Sequence, residues 1–247
     1  MIDVHSHIVF EVDDGAKSIE QSLEILQEAK EAGFTDIILT PHYIEGYYDN
    51  DAEIINNKIA KLQSLQNDVN LHSGNEIYIT ENIMELISQK KAQTLAGSRY
   101  VLFELPLNAE ALNLNRVVYS ILGERKIPVL AHPERYPEVQ KDPNMLIPLI
   151  NEGIILQSNY GSIVGQYGKE AKNTIKKMLN SNMVHLLGSD VHRPGTICWN
   201  IEEAKNKIAK IVGEAKLEEL TTINPGRILK NEVMDIDEPI KVKKGWF

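Results

Sequence analysis

Short apolar runs along this chain repeatedly end in a residue that can bind a metal ion. In the opening segment His5 and His7 stand two positions apart, so they would project from the same face of a β-strand. Later runs end at His42, Glu76, Glu104, His132 and the pair Asp190 and His192. Because the carboxyl ends of parallel strands meet on one face of a sheet or barrel, these residues would become neighbours there. Five of the seven histidines follow this pattern, which makes chance recurrence a poor explanation.

Strand-like runs alternate with amphipathic helical patterns, which indicates a mostly parallel sheet covered by helices. In the first helix Ser18 is the expected N-cap, with Gln21 as its partner, and Gly33 is the expected stop. About seven strands are predicted, at the N-terminus and near residues 35–39, 69–77, 100–104, 128–131, 154–157 and 184–187. Helices are predicted near residues 18–31, 52–66, 80–90, 112–124, 144–152, 170–181, 201–212 and 216–221.

Length and composition favour one α/β domain. A chain of 247 residues that is 43% hydrophobic can bury a complete core. We expect the domain to span residues 1–230 and residues 231–247 to form a loosely held tail.

Charge and residue usage narrow the expected partners. A formal net charge of −9 disfavours nucleic acid but leaves room for a small phosphorylated group, since bound cations would reverse the local charge. The single cysteine, Cys198, excludes an internal disulfide and fits a reducing compartment. No signal-peptide pattern and no apolar run of about 20 residues is visible, so we expect a cytoplasmic protein without membrane insertion. The oligomeric state is open.

The candidate ligands are imidazoles and carboxylates without thiolates, a set suited to manganese, iron, zinc or nickel. Asp13 and Asp14 follow the first strand, although an Asp-Asp-Gly sequence is also an ordinary turn. Because about eight ligands exceed the need of one ion, we expect two or three ions bridged by a carboxylate. Such a cluster activates water near neutral pH and holds phosphoryl oxygens, so hydrolysis of a phosphomonoester is the natural reaction.

Two arginines are candidate phosphate ligands. Arg135 follows His132 closely and Arg193 follows His192 directly, and a guanidinium donates two parallel hydrogen bonds to anionic oxygens. A structural salt bridge is the alternative for each. Other phosphate chemistries fit poorly: no arginine follows Cys198 as a cysteine phosphatase would require, and the glycine-rich segment 161–169 lacks the spacing of a nucleotide-binding loop.

Taken together, the motifs resemble the PHP (polymerase and histidinol phosphatase) superfamily, and most closely its bacterial CpsB/YwqE-type branch of tyrosine phosphatases. The segments that carry the resemblance are 3–8, 12–18, 40–42, 74–78, 131–136, 188–192 and 224–227, in this order. The resemblance implies a distorted (β/α)7 barrel with a trinuclear, manganese-dependent site at the carboxyl ends of the strands; magnesium is a further possible ion. It also implies activity on phosphotyrosine in the tail of a bacterial tyrosine kinase that controls capsule or exopolysaccharide export.

Matching positions assign the ligands by resemblance. One ion would be held by His5, His7, Glu76 and Asp190, a second by Glu76, Glu104 and His132, and a third by Asp14, His42 and His192, while Arg135 would bind phosphate. One position differs from the pattern of this branch. Its members usually have an Asn after the late histidine and an arginine a few residues later, whereas here Arg193 directly follows His192. A small-molecule phosphatase of the histidinol-phosphate type and a catalytically silent metal-binding module remain the alternatives.

Overall fold

The computed structural model describes residues 1–107 and 114–243, without the side chains of residues 197–199. Nine short strands and eleven α-helices are found in these ranges. The strands are β1 (Ile2–Asp3), β2 (Asp36–Leu39), β3 (His42–Tyr43), β4 (Asn70–Ser73), β5 (Glu76–Tyr78), β6 (Tyr100–Glu104), β7 (Ile127–Ala131), β8 (Ile155–Asn159) and β9 (Leu186–Gly188). The helices are α1 (Ile19–Glu31), α2 (Ala52–Leu65), α3 (Ile83–Ser88), α4 (Asn115–Gly123), α5 (Pro137–Lys141), α6 (Ile147–Asn151), α7 (Tyr160–Val164), α8 (Gly168–Leu179), α9 (Ile197–Val212), α10 (Glu214–Glu218) and α11 (Asn224–Leu229).

All the strand pairs are parallel, in the orders β1-β2-β4 and β3-β5-β6-β7-β8-β9. Only two residues separate β2 from β3 and β4 from β5, so the two sheets continue into each other. Pro41 lies in the first break and has no N–H to donate. The far edges also meet, because His7 N donates to Val191 O over 2.9 Å and Asp190 N donates to His5 O over 2.8 Å. The predicted α/β class with a parallel sheet is confirmed, and the sheet is curled.

The first helix shows how local sequence specifies an element. Ser18 Oγ accepts a hydrogen bond from Gln21 N, and the Gln21 side chain accepts one from Lys17 N. The helix ends before Gly33, whose φ of +91° is a conformation that glycine adopts without a Cβ clash. Ile25 and Ala29 are fully buried, so the helix packs through its apolar stripe as predicted.

The strands divide their side chains between two apolar clusters. Tyr100 and Leu102 of β6 join one cluster, and Val101 and Phe103 join the other. Since side chains alternate along a strand, Glu104 continues the face of Leu102. The face that begins with Leu102 therefore turns from apolar to polar at the end of β6.

The same change occurs along the last two strands. On β8 the face of Ile155 continues through Gln157 to Asn159, and on β9 the face of Leu186 continues through Gly188 to Asp190. The apolar cluster that contains Leu102, Ile155 and Leu186 thus lies directly beneath the polar residues.

Several elements differ from the sequence prediction. The strand predicted at 69–77 is split into β4 and β5, and the helix predicted at 144–152 begins with a 3-10 turn at Pro143–Leu146. The short helices α5, α7 and α11 were not predicted, because five or six residues are too few to show a helical period. The predicted start of a helix at Leu112 lies outside the described residues.

The described part of the tail is held by hydrogen bonds, in contrast to the loose end that we expected. Tyr100 Oη donates to Glu232 O over 2.7 Å, and Asn144 exchanges two hydrogen bonds with Val242. Ile240 N also donates to Ser181 O. Across residues 1–107 and 114–243, every helix is too short or too polar to pass through a bilayer.

Candidate metal centre

The predicted ligands come together in one cluster. His5 and His132 follow β1 and β7 closely, Glu104 ends β6, and His42 and Glu76 open β3 and β5. Four overlapping groups have ligand atoms within 4.8 Å of one another: His7, Asp14, His42 and His192; His5, His7 and Asp190; His5, Glu76 and His132; His42, Glu76 and Glu104. All nine residues that the sequence predicts as metal ligands belong to at least one group.

Glu76 is the centre of the cluster. Its Oε2 lies 3.2 Å from His5 Nε2, 3.3 Å from His7 Nε2 and 3.0 Å from His42 Nδ1. Its Oε1 lies 2.8 Å from His132 Nε2. A fully buried carboxylate that faces four imidazoles is placed as a bridging ligand would be.

The donor set fits divalent cations. Asp14 Oδ1, His42 Nδ1 and Glu76 Oε2 are buried and make no hydrogen bond in the described part of the chain. Buried polar atoms usually have a partner, and an unsatisfied one is unfavourable by roughly 1–3 kcal/mol. Cations held by imidazole nitrogens and carboxylate oxygens would supply the missing partners.

The cluster strongly perturbs its own ionisation. Burial opposes charge on Glu76, but His5 and His42 outweigh it and hold the pKa of Glu76 well below its usual range. Burial and His7 lower the pKa of His42, but Glu76 and Glu104 raise it to about 10. Without cations the neighbouring carboxylates thus favour the protonated forms of His5, His7 and His42, and bound cations would take the place of those protons.

Gln157, which the sequence analysis did not single out, orients His5. Gln157 Nε2 donates to Ser158 O and Asn159 Oδ1, both over 2.9 Å, so Gln157 Oε1 is the remaining acceptor. It lies 2.7 Å from His5 Nδ1. His5 Nδ1 therefore donates to Gln157 Oε1, and His5 Nε2 faces the cluster.

Two other ligands are oriented in the same way. His7 Nδ1 lies 2.8 Å from Asp13 Oδ2, and His192 Nδ1 lies 2.9 Å from the carbonyl oxygen of Asp190. Asp13 also accepts hydrogen bonds from Gly15 N and His42 N. Asp13 is thus a positioning residue, whereas its neighbour Asp14 faces His42 and His192.

Close backbone packing explains two glycines beside the cluster. A Cβ on Gly15 would lie 2.1 Å from His7 O, and a Cβ on Gly188 would lie 2.6 Å from His5 Cβ.

Two of the predicted ligands, His132 and Asp190, have positive φ angles, of 34° and 53°. Non-glycine residues in this region are strained, and such strain is concentrated at functional sites.

Arg135 lies at the rim of the cluster. Its Nη1 donates to Asp190 Oδ2 over 2.9 Å, and its guanidinium carbon lies 4.4 Å from the centre of the Tyr167 ring. Asp190 Oδ2 also accepts from Asn159 Nδ2 over 2.7 Å and from Tyr167 Oη over 3.1 Å. Asn159 and Tyr167 are further residues that sequence reasoning missed, since neither belongs to a recognisable metal-ligand pattern.

Arg193 is placed differently from Arg135. Its Nη1 lies 2.5 to 2.6 Å from the carbonyl oxygens of Asp14, Gly15 and His192, which share its two N–H groups. These bonds connect the loop after β1 with the loop after β9. In this position Arg193 holds together the segments that carry Asp14 and His192, and a phosphate contact for it stays a prediction.

Glu134 is a buried carboxylate behind the cluster that the sequence did not reveal. Its Oε1 accepts from Asn159 N over 2.9 Å and from Ser162 Oγ over 2.6 Å. It therefore fixes the backbone at Asn159, whose side chain contacts Asp190. The only sequence signal is its place between His132 and Arg135.

A curled parallel sheet that carries a cluster of imidazoles and carboxylates defines an α/β protein with a candidate site for divalent cations. A family model described as capsular polysaccharide synthesis, CpsB/CapC, matches residues 1–230. The chain therefore belongs to the CpsB/CapC family, which confirms the resemblance found in the sequence.

Individual relatives agree with this assignment. CapC from Staphylococcus aureus is 36% identical to this chain, and the match covers 100% of this chain and 99% of the relative. The tyrosine-protein phosphatase YwqE from Bacillus subtilis is 30% identical, with 99% and 97% covered. A solved chain from the crystal structures of Bacillus subtilis YwqE and Streptococcus pneumoniae CpsB, described as unique metal-dependent tyrosine phosphatases, has a TM-score of 0.92. It is 29% identical, and 99% of this chain and 100% of that chain are covered.

Proposed function

We propose that this protein is a metal-dependent phosphatase that hydrolyses phosphotyrosine on protein substrates. The observation that carries the proposal is the cluster around Glu76, in which four imidazoles face one buried carboxylate. Membership of the CpsB/CapC family, with relatives named tyrosine-protein phosphatases, supports the same reaction.

We assign the cluster to two or three divalent ions, with Mn²⁺ as the expected metal. His5, His7, Glu76 and Asp190 would hold one ion, Glu76, Glu104 and His132 a second, and Asp14, His42 and His192 a third. The four overlapping groups of candidate ligands support a bridged arrangement. When bound, such ions make water a stronger nucleophile and neutralise charge on the phosphoryl oxygens.

The residues of this chain then orient and bind. Gln157 and Asp13 hold His5 and His7 with Nε2 toward the cluster. Arg135 is fixed at the rim by Asp190 and Tyr167, and its Nε and Nη2 make no hydrogen bond within the described residues. We assign these N–H groups to the phosphoryl oxygens, where charge develops during hydrolysis. Arg193 is the second candidate for phosphate.

The finer expectations from the sequence are part of the proposal. We interpret the interrupted pairs β2/β3 and β4/β5 as single strands, which makes the fold a distorted (β/α)7 barrel. Residues 1–230 form the domain, and residues 231–247 form the tail. The substrate is the phosphotyrosine-bearing tail of a bacterial tyrosine kinase in capsule or exopolysaccharide synthesis, and the location is the cytoplasm.

The test is hydrolysis of p-nitrophenyl phosphate and of a phosphotyrosine peptide by protein loaded with Mn²⁺. We expect turnover that chelation removes and that His132→Ala or Asp190→Ala abolishes. Circular dichroism of each variant shows whether the fold is retained. Full activity in a folded variant would reject the ligand assignment.

Two further outcomes would change the function. A strong preference for histidinol phosphate over phosphotyrosine peptides would replace the substrate with a small metabolite. Metal-loaded protein without any esterase activity would favour a silent binding module.

A further inference from the structure

A pair of adjacent tyrosines borders the candidate metal centre on the loop between β3 and α2. The Tyr48 ring lies 6.0 Å from the His42 ring, with an angle of 10° between the planes. The Tyr47 ring meets Tyr48 edge-on at 4.5 Å, and 72% of Tyr47 is exposed. The two rings therefore extend the site outward from a predicted metal ligand into solvent.

The loop that carries the pair is held in place. Ile44 and Tyr48 exchange two backbone hydrogen bonds of 2.9 Å, and Tyr47 N also donates to Ile44 O. Gly46 has a φ of +76°, as a tight turn requires. Asn50 Nδ2 donates to Val12 O over 2.7 Å, which ties the loop to the segment carrying Asp13 and Asp14. A fixed loop loses little conformational entropy when a ligand packs against it.

We propose that Tyr47, supported by Tyr48, packs against the aromatic ring of the substrate and thereby favours aryl over alkyl phosphomonoesters. This inference rests on the proposed function and adds a residue that determines specificity. A phenyl ring bonded to a phosphate at the cluster has to lie against the rim, and an exposed ring beside it offers edge-to-face or offset packing. The phosphoryl group remains with the cations and Arg135.

The test separates the ring from the phosphate. Inhibition constants of phenylphosphonate and of inorganic phosphate are measured on the Mn²⁺-loaded protein, and calorimetry gives both affinities without turnover. We expect Tyr47→Ala to weaken the binding of phenylphosphonate about two- to tenfold and to leave the affinity for phosphate unchanged. Tyr47→Phe should keep the wild-type ratio, because the ring is retained.

Two controls complete the design. Tyr119 is 57% exposed on α4 and contacts Glu152, so Tyr119→Ala removes a comparable ring elsewhere and should change neither affinity. The proposal would be overturned if Tyr47→Ala weakened the binding of phenylphosphonate and of phosphate equally, or left both affinities unchanged. If wild-type protein does not hydrolyse aryl phosphates, the proposed function fails, whereas the calorimetric ratio still decides the role of Tyr47.

Discussion

Gln157 offers the sharpest test of how the fold prepares the candidate metal centre. Its side chain is fully buried, so bulk solvent cannot reach it to replace a lost hydrogen bond. Gln157→Leu keeps a similar volume but removes the acceptor for His5 Nδ1 and the donors to Ser158 O and Asn159 Oδ1. The imidazole of His5 can then rotate or carry its proton on Nε2, the atom that faces Glu76.

The expected magnitude follows from these contacts. Loss of a hydrogen bond that orients a metal-binding histidine weakens metal affinity about 10- to 100-fold, or about 1.4–2.7 kcal/mol. The substitution also removes three hydrogen bonds, each contributing roughly 1 kcal/mol. We therefore expect the free energy of unfolding of the metal-free protein to fall by about 3 kcal/mol.

The assay is a Mn²⁺ titration monitored by electron paramagnetic resonance, together with urea unfolding of the metal-free protein. Gln63→Leu is the matched control, since Gln63 accepts from Leu71 N and donates to Gln66 O and Val69 O away from the cluster. We expect the control to lose stability without losing metal affinity. Wild-type Mn²⁺ affinity in Gln157→Leu would refute the role assigned to Gln157.

Three more outcomes are expected. Gly188→Ala should reduce the free energy of unfolding by about 1–3 kcal/mol and weaken Mn²⁺ binding, because the added Cβ would lie 2.6 Å from His5 Cβ. Gly123→Ala is the control, since the space around its Cβ is open. Equal unfolding free energies for the two variants would contradict the packing argument. Burial lowers the pKa of His185 from 6.5 to about 4, so stability present above pH 6.5 is lost as the pH falls toward 4, by up to about 3 kcal/mol. His185→Gln can still accept from Leu156 N, and we expect urea unfolding to show a smaller loss of stability between pH 7 and pH 4.5 in this variant than in the wild type. Equal losses in the two proteins would argue against a buried neutral imidazole. Mn²⁺ at about 100 times its dissociation constant should raise the unfolding free energy by about 2.7 kcal/mol, and an unchanged melting temperature would count against a cation site.

The sequence by itself predicted the α/β class, the first helix and the convergence of distant residues such as His5 and Asp190. These features depend on local periodicity and on one topological rule, that parallel strands end on the same face. A residue directly after an apolar run, such as His132, is therefore readable as a member of a common site. The same motifs indicated the CpsB/YwqE-type branch, and the match to the CpsB/CapC family model confirms this resemblance.

Only the tertiary structure decided how the site is supported. Gln157 and Asn159 lie in a segment whose sequence carries no metal-ligand spacing, and Glu134 is marked only by its place between His132 and Arg135. The roles of all three arise from hydrogen bonds to residues distant in the sequence. The same applies to Arg193, whose carbonyl partners lie in the segment after β1 and in its own segment after β9. Local sequence specifies the direction of a side chain along its own strand, but its hydrogen-bond partners depend on which residues the curled sheet brings within 3 Å of it.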